Sequence, residues 1–446
     1  TTPESSQPTT QSREETPLST TLQNSKAFPT TYEAVLENGL KVIIREDHRA
    51  PVVTSMDWYK VGSVDEPRGL GGISHMLEHM MFKGTDKLGP NEHSTIIANL
   101  GGRDNAFTSY DYTAYFENLP AWELERALKL EADRMQNLKL KEEDFAPERE
   151  VVAEERRQRT DSNPQAQLYE RFNATLWSTS AYRNPIIGWM PEIKSWTLND
   201  LKKWYRLYYA PNNATLVIVG DVDPEETYAL VKKHFGQIPR EAITHPNEFE
   251  VPQMGEKRID LSLKANMPLL YMAYKVPSIN STDDPEKVYA LTLASLILDG
   301  SNSARLSKNL VREQQIALQA SNYYSSGMRY DSTFMFAAVP AKGTSLETLE
   351  TEIRKEVKRL REELVSQEEI DRVLNLYRAA KVYERDSVYS QAMQIGAAET
   401  SGEGWKHREN LLHFLEKVTP EMIQQVAQEY LQDDALTVGT LHPHED

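Results

Sequence analysis

One passage of this sequence is written twice. From Thr197 to Tyr208 the text suits a Thr-capped helix, and Pro211-Asn212-Asn213 then turns into an apolar run, Thr215 to Val219, that closes on Gly220. Thr419-Pro420-Glu421 opens a second helix that reaches Tyr430, and Ala435 to Val438 closes on Gly439. The offset is 419 − 197 = 222 residues, half of a chain of 446. A helix, turn and strand repeated at half the chain length imply a duplicated domain. A chain this long exceeds one ordinary core in any case.

The remaining text fits two halves of similar order. Residues 1–31 are poor in apolar side chains and read as a disordered lead. In 32–240, Tyr32 to Glu37 and Leu40 to Arg45 flank Asn38-Gly39, a hairpin signal, and Val52 to Val61 is a third strand. A helix is expected over Ile73 to Phe82, β structure over Asn105 to Leu119, and helices over Trp122 to Leu138 and Glu148 to Arg159. Residues 241–257 are a polar, proline-bearing linker. In 258–446 the plan recurs, with strands at Leu269 to Tyr274 and Phe334 to Val339 and helices at Pro285 to Leu298 and Arg305 to Arg312. Ser366 and Glu369 stand in capping-box spacing at the start of a further helix. Strands mixed with helices in each half give an α+β class.

Composition narrows the chemistry. Lys and Arg number 50 against 67 Asp and Glu, so 50 − 67 = −17, a charge that repels nucleic acid and anionic membranes. No apolar run approaches the ~18 residues of a spanning helix. Cysteine is absent, so a bound metal must rest on His and carboxylates. The Thr/Ser/Gln/Pro-rich opening without Met suggests export to a periplasm-like space after removal of a signal.

His75, Glu78 and His79 spell H-x-x-E-H. On a helix, i and i+4 share a face, so both imidazoles can chelate one divalent ion with Glu78 alongside. A catalytic zinc takes a third protein ligand and keeps a position for water. The stretch around Val151 to Glu155 offers Glu154 or Glu155, between which spacing alone does not choose; Glu148 lies two turns before Glu155 on the same face.

Gly71 to Thr85 resembles the signature of the insulinase/pitrilysin family of inverted-motif zinc metallopeptidases. Asn105-Ala106-Phe107-Thr108-Ser109, Glu148 to Glu155, Tyr208 to Gly220 and Gly300 to Arg312 are similar to that family in the same order. The length resembles its bacterial processing-peptidase-like branch, zinc-bearing subunit. The resemblance implies two homologous domains, each a mostly antiparallel sheet covered by helices. It also implies one Zn2+ per chain on His75, His79 and Glu155, the distal ligand being 155 − 79 = 76 residues after the second His. Glu78 would then be the general base of a zinc endopeptidase acting on peptides or unfolded segments, and Glu148 would orient a ligand or the water. Asn105, Ala106, Phe107 and Thr108 would lie on an edge strand that pairs with substrate. The rings of Phe107, Tyr110, Tyr112 and Tyr115 read mostly as sheet packing.

In relatives an Arg and a Tyr seven residues later hold the substrate backbone. Here Arg312 is followed by Gln319, and Tyr323 and Tyr324 are out of register. A homologous partner subunit supplying the pair in a heterodimer, or a homodimer using Gln319, would account for the departure. The competing class is a non-catalytic scaffold subunit, which would be expected to lose part of the metal set.

Overall fold

The computed structural model describes residues 19–444. In the first half β1 (Gln23–Ser25), β2 (Phe28–Val35), β3 (Lys41–Glu46), β4 (Val52–Tyr59), β5 (Arg103–Thr108), β6 (Thr113–Pro120) and β7 (Ala214–Gly220) build one sheet. Its order is β1-β2-β3-β7-β4-β6-β5. In the second half β8 (Lys257–Lys264), β9 (Leu269–Val276), β10 (Ala317–Tyr324), β11 (Ser332–Pro340) and β12 (Leu436–His444) build another, ordered β10-β11-β9-β12-β8. Read from β8, the second sheet repeats β3-β7-β4-β6-β5 strand for strand. The pairs β3–β7 and β8–β12 are parallel, and every other neighbouring pair is antiparallel. The protein is therefore α+β with two matching mixed sheets flanked by helices.

The repeated passage falls at matching places. Helix Leu198–Tyr208 carries the Thr197 capping box and leads into β7; helix Pro420–Tyr430 is capped by Thr419 and leads into β12. Ser366 and Glu369 make the reciprocal cap of helix Gln367–Glu384. One strand expectation and one helix expectation shift. Asn105 to Leu119 is split by a turn into β5 and β6, and the helix expected from Glu148 starts at Glu142 and runs through Pro147. Glu142, Glu143 and Asp144 in its first turn favour that earlier start against the helix dipole.

The expected lead of 1–31 needs correction. Residues 1–18 lie outside the described residues, but 19–31 contain β1 and the start of β2. Strand pairing needs backbone rather than apolar content, and Leu22 and Phe28 supply anchors, one buried in the first core and the other edge-on to Trp405 at 4.9 Å. From Pro239 to Glu256 there is no helix or strand.

Each half also lends a helix to the other. Helix Val388–Ser401 packs on β4 and β7, where Ala392 and Ile395 join Ile43, Met56, Trp58 and Val217. Helix Pro164–Leu176 packs on β12 and β8, where Leu168 meets Leu269, Val339 and Leu441. Sheet faces that would otherwise remain wet are buried by this exchange.

Candidate metal centre

Helix Ile73–Met80 carries the H-x-x-E-H residues, and its first turn is fixed from several sides. Gly72 has φ 86°, and a Cβ there would stand 2.3 Å from the Ile187 carbonyl, so the helix begins at a position open only to glycine. Glu66 accepts the N–H groups of Gly72 and Ser74, both at 2.8 Å, and Glu192 accepts those of Gly69 and Gly71. Two indoles complete the seat: Trp196 Nε1 donates to the Gly71 carbonyl and Trp204 Nε1 to Ser74 Oγ. Burial pushes the Glu66 carboxyl up to about 8 against the pull of those N–H donors.

One turn further, the imidazoles face each other, His75 Nε2 to His79 Nε2 3.2 Å. Helix Glu142–Arg156 packs against this helix and brings in Glu155, with Oε2 3.4 Å from His79 Nε2 and Oε1 3.8 Å from His75 Nε2. Two ligands each ~2.0–2.1 Å from a tetrahedral zinc lie about 3.3 Å apart. The three donors are spaced for that ion, and neutral imidazole with carboxylate is the chemistry zinc takes. Glu154, the rival by spacing, is exposed and occupied by Arg157 and Gln158.

The surroundings orient these donors. His79 Nδ1 donates to Glu148 Oε1 at 2.8 Å, which turns Nε2 towards the other donors, and Lys83 Nζ holds Glu148 Oε2 at 2.9 Å. Arg159 reaches Glu155 Oε1 at 2.9 Å. Burial lowers the His75 pKa, helped by His79; burial also opposes the charge on His79, but Glu148 and Glu155 outweigh it and raise that group. Hydrogen bonds from His79 hold both glutamates below the ordinary carboxylate range.

Glu78 sits beside the donors with its pKa raised by burial, and Thr108 Oγ1 donates to its Oε2 at 2.5 Å. Thr108 ends β5, the last strand of the sheet order. Asn105 on that strand is exposed, and its Oδ1 accepts the Ala106 N–H at 2.9 Å. Phe107 packs edge-on to Trp58 at 5.4 Å and beside Tyr112, as sheet packing requires. A cleft of about 350 Å³ opens on His75, Thr108 and Glu155.

Arg312 stands apart. It is exposed on a wide, π-type turn of helix over Ser307–Glu313 and lines neither this cleft nor its neighbours, and Gln319 is exposed on β10. Sequence reasoning passed over Lys83, Arg159, Glu66 and Glu192. Arg159 had a signal, an i,i+4 step from Glu155; Glu66 and Glu192 had none, since they reach the metal helix only through the fold.

A second convergence, His93, Glu117 and Glu131, is fully buried. There Arg134 already pairs with both oxygens of Glu131, so the protein supplies the cation itself.

Comparison with known proteins places the chain in a family. The family model for Insulinase (Peptidase family M16) matches residues 41–189, and that for the Peptidase M16 inactive domain matches 195–377. A zinc protease, PqqE, of Helicobacter pylori is 36% identical over 362 residues, 80% of each chain. The chain belongs to the insulinase family of peptidases. The crystal structure of a protease from Helicobacter pylori superposes with a TM-score of 0.87 at 32% identity, over 93% of this chain and 99% of that one. The bovine mitochondrial-processing peptidase subunit beta is 27% identical over 94% of this chain and 85% of its own. Within this insulinase-family chain the three candidate donors, His75, His79 and Glu155, fall in the half matched as peptidase.

Proposed function

We propose that the protein is a zinc-dependent endopeptidase acting on peptides or unfolded polypeptide segments. The observation that carries this reading is the convergence of His75, His79 and Glu155 at zinc spacing beside a buried carboxylate, Glu78, that is not needed as a ligand. His75, His79 and Glu155 would hold the zinc, which would acidify a bound water and polarise a carbonyl. Glu78 takes a proton from the nucleophilic water and passes it to the leaving amine, a task suited by the upward shift of its pKa. Thr108 fixes the Glu78 carboxylate, and Glu148 fixes the His79 ring. The outer edge of β5 receives an extended substrate strand through Asn105 to Thr108, a mode that reads backbone more than side chains. Residues 19–240 form the catalytic unit, and 257–444 the second one, joined by the segment 241–256.

Arg312 is assigned to a substrate in the assembled enzyme, with a homologous partner subunit or a second copy completing the Arg/Tyr pair. Its absence from the lining of the cleft in the single chain supports that reading, and so does similarity to a protein named as a subunit. Export to the periplasm is proposed from the composition of the lead; among the described residues no helix is long and apolar enough to cross a membrane.

The test is zinc content and peptide cleavage of the wild type and Glu78→Gln. The variant is expected to keep its zinc and lose cleavage by about 10²–10⁴-fold. Normal cleavage by the variant would overturn the mechanism, and an inert wild type that regains no activity with a paralogous chain would favour the scaffold reading.

A further inference from the structure

Beyond Thr108 the cleft at the metal donors continues. Tyr110, Tyr169 and Asn173 line it and also line a second cavity of about 270 Å³, which runs on to Tyr323, Met328 and Met335 of the second half. Two kinds of aromatic side chain surround this second space. The floor is fixed: Tyr110 and Tyr182 lie edge to face at 5.6 Å, Trp177 lies 5.8 Å from Tyr182, the Tyr182 hydroxyl donates to Asp111, and Asn173 Nδ2 donates to the Tyr110 hydroxyl. The rim is open. Tyr169 is 41% exposed and Tyr323 68% exposed, from different halves of the chain.

Rigid aromatic walls with exposed aromatic edges favour a flat apolar side chain, through burial and ring contacts. Among the described residues Asp331 is the one charged residue lining the space, and burial raises its pKa, so the walls offer little to an ionised side chain. Tyr110 stands in the turn two residues past Thr108, and with Tyr169 and Asn173 it lines both spaces, so they adjoin. A substrate strand leaving the metal centre in that direction therefore reaches the cavity after a few residues.

We propose that Tyr110, Tyr169, Tyr323 and Met328 form a specificity pocket for an aromatic side chain of the substrate, two to four residues from the cleaved bond. The proposal rests on the endopeptidase reading above. It adds a side-chain preference to a site whose other contacts are with backbone. Because Tyr323 comes from β10, the second half takes part in choosing the substrate although it holds no metal donor.

The experiment is cleavage of a position-randomised peptide library by the zinc-loaded full chain, with products identified by mass spectrometry. It is repeated with Tyr323→Ala and Tyr169→Ala, both at exposed positions. Phe, Tyr or Trp is expected to be enriched about tenfold at one position in that range. In either variant the ratio of kcat/KM for a Phe peptide to that for its Ala counterpart is expected to fall towards one. Cleavage without positional preference, enrichment of Lys or Arg there, or a preference that both variants retain would overturn the pocket and leave the endopeptidase reading standing. Absence of all cleavage would remove both.

Discussion

Gly396 lies against the indole of Trp58. A Cβ at 396 would stand 2.0 Å from both Cε2 and Nε1 of a ring that is fully buried under the first sheet. Gly439 on β12 meets Phe172 in the mirrored contact, where a Cβ would be 2.7 Å from Cδ2. These two glycines let the exchanged helices reach the sheets. In Gly396→Ala the helix-propensity gain of ~1 kcal/mol is outweighed by overpacking of ~1–3 kcal/mol at the upper end of that range. Denaturant unfolding is expected to show a net loss of about 2 kcal/mol for Gly396→Ala and a smaller loss for Gly439→Ala. Equal or reversed losses would show that the first contact is the more easily relaxed.

Glu148 touches His79 rather than the metal position, so its removal should act on affinity. Glu148→Gln keeps the shape but weakens the hydrogen bond that orients His79, and Lys83 loses its partner. Zinc affinity measured by competition with a chelator is expected to fall by about 10–100-fold. Activity at saturating zinc should recover in large part, which it would not do if Glu148 handled a substrate proton.

Arg329 joins the halves through buried charge. It lies between β10 and β11, its Nη1 is 2.8 Å from Asp65 Oδ1, and its main-chain N–H donates to Asp111 Oδ2 at 3.0 Å. Asp65 neighbours Glu66, which seats the metal helix, and Asp111 follows the end of β5. Arg329→Leu takes the guanidinium from two buried carboxylates, Asp65 keeping His245 Nδ1 at 2.9 Å, and the expected cost is about 3 kcal/mol. Pairing it with Asp65→Asn should recover part of that loss in a double-mutant cycle. Hydrogen exchange is expected to rise first at 109–112.

Glu250 pins the linker. Burial raises its pKa, but Lys275 at 2.5 Å and the N–H groups of Ser178, Thr179 and Ser180 outweigh this and hold it at about 2, below the ordinary 4.5. A depressed folded pKa stabilises the fold above about pH 4.5 and loses that contribution as pH falls towards 2. The stability difference between wild type and Glu250→Gln is expected on the order of 1 kcal/mol near neutrality once solvent screening of the pair is counted. It should shrink steadily on acidification across that window. A difference independent of pH would mean that the anchor works through shape alone.

Much of the site was legible because helical geometry is local. The i,i+4 step of His75 and His79 and the seven-residue step from Glu148 to Glu155 each fix a shared face, and both faces turn towards the same point. Spacing left Glu154 and Glu155 open, and the fold brings Glu155 to both imidazoles while Glu154 turns outwards to Arg157. Thr108 was expected on an edge strand and ends the last strand of the sheet, yet its hydroxyl is spent on Glu78, a contact between residues thirty apart in sequence that no periodicity records.

The sequence by itself determined the duplication, the caps at Thr197, Ser366 and Thr419, and the donor types, because each depends on residues within a few turns of one another or on a repeat at fixed offset. Tertiary structure alone decided the exchange of helices, the seating of the metal helix by Glu66 and Glu192, the bridge from Arg329 to Asp65, and the aromatic cavity shared by both halves. These contacts join surfaces far apart along the chain. Their partners are chosen by packing and by the need to neutralise or hydrogen-bond what packing buries, and neither requirement leaves a local pattern to read.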